Sequence, residues 1–415
     1  MHATPLTALV LSGGGARAAY QVGVLRAISR LRLQALGPAV WPRNPFGVIC
    51  GTSAGALNAM ALATQADRYD EAVEALARVW ENFSAEQVYR SDSLGVIRSG
   101  AQWLTMVSVG WVIARWRRAR PRSLLDNTPL QALLEQMVPL ERLPAMFELG
   151  HLHAVAVTAS SYTSGEHCTF YDSARPIEPW LRSQRLALPG TITQAHLLAS
   201  SAIPFVFPAT ALTSSGHAGW FGDGSMRQTA PLSPAIHLGA QRLLIIGAGR
   251  LHEPTGRVVV DAGYPNLAQI AGHAMSSIFL DALGVDVERM RRINRTLALL
   301  PATVLNDTDL RPLEALVIAP TQRLDDIAAR HLGALPAPVR ALLRGVGVGG
   351  SGEQARGAAL ASYLLFEAPY TRELMALGAA DTEARKTEVL RFFGWDRAAL
   401  AQTARPVPEL DLALP

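Results

Sequence analysis

Ser53 is the residue around which chemistry could be built. It lies in Cys50-Gly51-Thr52-Ser53-Ala54-Gly55, a G-x-S-x-G pattern after the apolar run Gly47-Val48-Ile49-Cys50. A serine at a strand-to-helix elbow is presented at the tip of the turn. The positive end of the following helix points back at it, which suits a nucleophile whose reaction develops an oxyanion. Gly51 and Gly55 flank it at minus two and plus two, where a Cβ would crowd the turn. Taken by itself, the pattern fits a glycine-rich turn with an incidental serine equally well. A second stretch, Ser12-Gly13-Gly14-Gly15-Ala16-Arg17-Ala18, can converge backbone amides on an anion. A third, Gly219-Trp220-Phe221-Gly222-Asp223-Gly224-Ser225, holds an acidic residue between two glycines; alone it reads as an Asp-Gly turn.

The glycine loop admits three readings. Gly13, Gly15 and Ala18 fit the dinucleotide fingerprint G-x-G-x-x-A, which also needs an acid about 20 positions on to hold a ribose. No Asp or Glu precedes Asp67, so NAD is poorly supported; NADP through Arg30 or Arg32 stays open. The loop could instead serve Ser53 as an oxyanion hole, or be a packing turn. The nearby elbow favours the oxyanion hole.

Elements must position these residues. The short apolar run at residues 6–11 reads as a buried strand, followed by the glycine loop and a helix with Tyr20, Val24, Ile28 and Leu31 on one face. Pro38, Pro42 and Pro45 mark a loop, and a helix follows the elbow at residues 54–63. Another helix is expected over 67–79. Residues 153–159 and 167–171 read as paired strands around a turn, 193–201 as a helix, and 205–208 as an extended apolar segment. A helix at 231–239 leads into a strand at 242–247; a long helix is expected over 266–300 and a last strand at 316–320. This alternation predicts an α/β layered core with a mostly parallel sheet. No solenoid repeat is present.

Residues of about 82–150 lack that alternation and read as a helical cap insertion. Within it an apolar run of 15 residues, 100–114, precedes a basic cluster. It is short of the roughly 20 needed to span a bilayer. Trp103, Trp111, Arg115, Trp116, Arg117 and Arg118 fit peripheral contact with a membrane surface; a cap helix with a solvated basic end fits as well.

Composition bounds the rest. Of 415 residues, 49% are apolar and 17% charged, so the chain is globular and can bury a large core. The net charge of +4 comes almost wholly from Arg, Lys386 being the only Lys, and is not read as a nucleic-acid signal. Two cysteines, Cys50 and Cys168, make no disulfide framework. With no signal-peptide pattern and no convincing transmembrane span, the expectation is a cytoplasmic protein with peripheral membrane contact. The ten histidines show no zinc-ligand spacing; His151 and His153 read as packing or surface residues. No metal or other cofactor is expected, and the oligomeric state is not legible.

Taken together, Gly13-Gly14-Gly15-Ala16-Arg17, Gly51-Thr52-Ser53-Ala54-Gly55 and Asp223-Gly224 resemble the patatin-like phospholipases. Ala199-Ser200-Ser201-Ala202-Ile203-Pro204 and the run 223–240 are similar to that family too. The resemblance covers roughly residues 6–320. It implies a three-layer α/β/α domain over 1–320, into which the cap read above is inserted; beyond it the residues themselves read as a helical C-terminal region over 321–415. It implies a two-residue pair, Ser53 as nucleophile and Asp223 as general base, acting on phospholipid or lysophospholipid esters through an acyl-enzyme. The oxyanion hole would come from amides of the loop Gly13, Gly14, Gly15, Ala16 and Arg17, with Arg17 assisting electrostatically or holding the loop. Two departures stand out. Ala18 replaces the loop's final glycine, and Ser225 replaces the usual Gly or Ala after Asp-Gly. A free Asp is a poor base at neutral pH, so burial is expected to raise the Asp223 pKa. An acyltransferase of the malonyl type is disfavoured, because Thr52 stands where those enzymes carry a histidine. A silent membrane-binding relative is disfavoured by the intact Ser53 and Asp223.

Overall fold

The computed structural model describes residues 5–37, 44–90, 123–251, 264–350 and 355–396. Among the described residues ten strands form one mixed sheet in the order β10-β9-β1-β2-β3-β4-β6-β5, with the hairpin β7-β8 attached to β3. The strands are β1 (Thr7–Leu11), β2 (Val48–Thr52), β3 (Ala154–Ser161), β4 (His167–Ser173), β5 (Leu181–Arg182), β6 (Arg185–Pro189), β7 (Thr210–Ser214), β8 (His217–Asp223), β9 (Arg242–Ile246) and β10 (Glu314–Ile318). From β10 through β3 every pairing is parallel. β4 and β8 both run antiparallel to β3. The parallel half therefore matches the sequence pattern, while the β4, β5, β7 and β8 pairings make the whole sheet mixed.

Strands buried on both faces read as continuous apolar runs, and successive side chains separate into two layers. Leu9, Leu11, Ile49, Val155 and Leu244 face one core; Ala8, Val10, Val48, Ala154 and Leu243 face the other. The first core is roofed by α1 (Ala19–Leu36), α2 (Ala54–Ala63) and α3 (Tyr69–Glu81). The second is roofed by the short helix Ser233–His237 and by residues of the helix Leu267–Leu297. Two further helices matter below: Gln194–Ser200, α4, and Leu267–Leu297, α5.

α5 contributes Met275 and Phe279 to one core and Leu283, Val287 and Met290 to the other. It therefore passes across the carboxyl ends of the strands, touching Gly13, Gly247 and Gly249 on the way. Its middle turn, Ser277–Asp281, is a π turn.

The helix Ala368–Ala384, α6, packs along α1 at a glycine crossing. A Cβ on Gly23 would overlap the Met375 backbone, and one on Gly378 would overlap the Tyr20 carbonyl. The C-terminal helices thus share the main core. So do the described flanks of the expected cap: Phe83, Tyr89, Leu125, Leu134 and Met146 are buried in it. The Trp103–Arg118 membrane-contact segment lies outside the described residues.

One local expectation fails. Residues 205–208 form a turn, not an extended segment: Phe205 has φ 66° and is exposed, while its carbonyl accepts the Leu124 amide. The apolar pattern misleads because only Val206 and Phe207 of the run face inward.

Candidate active site

The serine elbow follows from local sterics. β2 ends at Thr52, Ser53 adopts φ 56° and ψ −134°, and α2 starts at Ala54. A non-glycine residue at positive φ is strained and persists only where surrounding structure enforces it. Here a Cβ on Gly51 would lie 2.5 Å from Ala56 Cα, and one on Gly55 would lie 2.5 Å from the Ser12 carbonyl oxygen. Only glycine permits both approaches. The Ser53 amide donates to Ser200 Oγ at 2.9 Å, so α4 steadies the elbow from the side.

Strand register then brings the acid to the serine. On one edge of β3, Thr158 pairs with Thr52 and the next residue, Ala159, pairs with Asp223. β2 runs parallel to β3 and β8 antiparallel, so their carboxyl ends meet head to head. Ser53 Oγ donates to Asp223 Oδ2 at 2.5 Å. Asp223 Oδ1 accepts the Ser225 amide at 2.9 Å, and the Asp223 amide donates to the Ala202 carbonyl at 3.0 Å. A Cβ on Gly224 would overlap the Thr158 carbonyl, which keeps that close approach for glycine.

Asp223 is fully buried and Ser53 is 1% exposed. Burial pushes the Asp223 pKa up to about 6, against the opposing hydrogen bonds from Ser53 and Ser225. A carboxyl in that range can take a proton from a hydroxyl near neutrality and give it back. No histidine bonds to Ser53 or Asp223 among the described residues. His167, which packs against Gly224, is itself pushed down to about 4 by burial.

The glycine loop lies directly alongside. A Cβ on Gly13 would overlap Ser225 Oγ and come within 3.1 Å of Ser53 Cβ and 3.0 Å of the Phe279 ring. Gly14 abuts Ala248, and Gly15, at φ 55°, abuts the Tyr363 carbonyl. Ala16 and Arg17 depart from the expected amide cradle. The Ala16 amide donates to the Tyr363 carbonyl at 3.0 Å and the Arg17 amide to the Gly14 carbonyl at 3.1 Å. The amides with no protein acceptor among the described residues are those of Gly13, Gly14 and Gly15.

The Arg17 side chain points away from Ser53 into the C-terminal region. Its Nε donates to Ser362 Oγ at 2.8 Å, it pairs with Asp325, and its guanidinium lies 4.0 Å over the Tyr363 ring. It therefore holds the loop and does not face the serine. Asp325, Ser362, Tyr363 and Phe279 were not singled out from sequence, because their partners stand hundreds of positions away. Ser200 lay in a stretch already noted, without this role.

Ser225 and Phe279 crowd Gly13 and the Tyr363 carbonyl crowds Gly15, in the space that a pyrophosphate would need. The dinucleotide reading therefore loses its site. Among the described residues no cluster of three or more His, Cys, Asp or Glu could hold a metal.

Comparisons with known proteins complete the description. The family model described as Patatin-like phospholipase matches residues 9–236, more than half of the chain. A comparison with curated proteins found none that matches. Among solved structures, VipD from Legionella pneumophila is 13% identical over 90% of this chain and 67% of its own, with a TM-score of 0.31. Human GIVD cytosolic phospholipase A2 is 13% identical over 96% of this chain, with a TM-score of 0.45; the chain spans 60% of that enzyme's length. The type III effector protein ExoU of Pseudomonas aeruginosa is 16% identical over 98% of this chain and 90% of its own, with a TM-score of 0.28.

Proposed function

The chain belongs to the patatin-like phospholipase family, and from that premise we propose that it is a serine lipid acyl hydrolase cleaving fatty-acyl esters of phospholipids or lysophospholipids through Ser53 and Asp223. The observation that carries this reading is the 2.5 Å hydrogen bond from Ser53 Oγ to a fully buried Asp223 whose pKa is raised to about 6.

In the first step Ser53 Oγ attacks the ester carbonyl as its proton passes to Asp223. The carbonyl oxygen becomes an oxyanion, received by the amides of Gly13, Gly14 and Gly15. One such donor is typically worth about 3–4 kcal/mol. Collapse expels the alkoxide of the lysophospholipid or of the glycerophosphodiester, which takes the proton back from Asp223 and leaves an acyl ester on Ser53. Water then gives a proton to Asp223 and attacks that ester. Collapse releases the fatty acid and returns the proton to Ser53. None of these steps draws on a metal or another cofactor. Peripheral membrane contact through Trp103, Trp111, Arg115, Trp116, Arg117 and Arg118 remains part of the proposal.

The test is covalent labelling with an alkyl fluorophosphonate, read by peptide mass spectrometry, alongside turnover of a fatty-acyl ester. The expected result is one adduct at Ser53, absent in Ser53→Ala, with turnover lost in both Ser53→Ala and Asp223→Asn. Full turnover in Asp223→Asn would remove Asp223 as the base. Labelling elsewhere would remove Ser53 as the nucleophile. Lipid profiling of wild type against Ser53→Ala then identifies head group and acyl position.

A further inference from the structure

The helix α5, which meets the glycine loop through Phe279, also presents an exposed outer surface. On its inner side, Phe279 in the π turn sits against Gly13 and lies tilted by 32° against the Tyr363 ring, centroids 4.9 Å apart. Leu280 packs against Gly249. π turns inside α-helices occur frequently at functional sites, and this one meets the glycine loop at Gly13, the residue that also abuts Ser53.

The outer side has two halves. In the N-terminal half Leu267 is 64% and Ile270 48% exposed, Ala274 is exposed, and Ala271 and Ile278 are half-buried on the same stripe. Val285, 55% exposed, continues it past Asp281. In the C-terminal half Arg289, Arg291, Arg292 and Arg295 are exposed and line one shallow groove together with Glu288. Arg289 bonds to Asp286, whereas Arg291, Arg292 and Arg295 make no ion pair among the described residues. α5 is the one described helix long and apolar enough to cross a membrane, yet only 33% of its most apolar window is buried. Its inner side is fastened to both cores, so it lies on the protein and does not leave it.

An exposed apolar stripe continuous with unpaired arginines matches one partner, a surface that is oily within and anionic outside. We propose that the outer face of α5 docks on an anionic phospholipid bilayer, with Leu267, Ile270 and Ala274 entering the acyl boundary and Arg291, Arg292 and Arg295 meeting lipid phosphates. The element packed on the glycine loop beside the serine is then an element that meets the lipid. The choice of a bilayer over another anionic surface rests on the lipid acyl hydrolase reading.

The experiment is co-sedimentation of the full chain with vesicles of pure phosphatidylcholine and of phosphatidylcholine with one-third phosphatidylglycerol. Expected is partition to the anionic vesicles that weakens with salt. It should fall about 100-fold when Arg291, Arg292 and Arg295 are all changed to Ser, taking roughly a fivefold loss for each arginine at the surface. Leu267→Glu with Ile270→Glu should weaken binding as well, and thermal midpoints confirm that each variant is folded. Ser53→Ala protein should bind like wild type, so docking and chemistry can fail separately. Equal partition to neutral vesicles, or undiminished binding by the triple arginine variant, overturns the proposal. A dimer in solution that Leu267→Glu with Ile270→Glu dissolves would also overturn it, by assigning the face to a second copy of this chain.

Discussion

Asp223→Asn should make the protein more stable at neutral pH while it abolishes turnover. Asp223 is fully buried, and burial lifts its pKa from 3.8 to about 6. The folded state therefore binds a proton between about pH 4 and pH 6 that the unfolded chain has released. By linkage, a group whose folded pKa is raised contributes stability that is complete below the unfolded pKa and is lost as pH rises through the folded one. Above pH 6 the native state must hold an ionised, buried carboxylate. A shift of roughly two units at about 1.4 kcal/mol each is a penalty of about 3 kcal/mol. Asn has the same shape, can accept from the Ser225 amide and can donate to Ser53 Oγ, yet carries no charge. With an unfolding entropy of about 2 cal/mol/K per residue, 3 kcal/mol corresponds to a rise in Tm of about 3 °C for a chain of this length. The assay is calorimetric melting of both proteins from pH 4 to pH 8. The gap should be near zero at pH 4, open between pH 4 and 6, and stay constant above. An Asn variant less stable than wild type at pH 7.5, or a gap that does not change with pH, would refute the reasoning.

Three other outcomes are expected. Wild-type kcat/KM on a soluble ester should fall tenfold per unit below an apparent pKa near 6, because only ionised Asp223 accepts the Ser53 proton; a profile flat to pH 4.5 contradicts this. Ser53→Ala, Asp223→Asn and the double variant should lose nearly the same activity, since groups acting as a unit are not additive; a double variant hundreds of times worse than either single one speaks against joint action. Asp325→Ala should cost about 3 kcal/mol in denaturant unfolding, because it strands the 2%-exposed Arg17, whereas Arg17→Met should cost less, because the part-exposed Asp325 keeps Arg323 at 3.8 Å. The reverse order would show that the arginine stacking on Tyr363, not the ion pair, holds the glycine loop.

How much of this was legible in the sequence follows from the range of each interaction. The strand, glycine loop and α1 at the N-terminus, and the elbow around Ser53, are written in contiguous residues, because sterics of neighbours demand Gly51 and Gly55. The family was legible because three such local signatures stand in one order. The pairing of Ser53 with Asp223 was not readable from spacing; it entered through the resemblance. The physical cause of their proximity is the β3 register, which is non-local. The hairpin β7-β8 was missed for the same reason, its residues being too polar and exposed in part to print a buried-strand pattern. Whether Arg17 assists electrostatically or holds the loop stayed open in the sequence, because its partners, Asp325 and Ser362, lie 308 and 345 positions downstream. Ala16 fitted an amide donor for a similar reason: Tyr363, whose carbonyl accepts its hydrogen bond, could not be foreseen.

β3 acts as a ruler for the two reacting groups. Thr158 fixes one strand end and Ala159 the other, so their separation is set by one residue step and not by the chain between them. Insertions or deletions anywhere in the intervening loops, including the stretch between α3 and β3, leave that step untouched. A single-residue slip within β8 would instead turn the carboxylate to the opposite face of the sheet. The fold can therefore tolerate wide variation in length around the site while allowing almost none along one seven-residue strand.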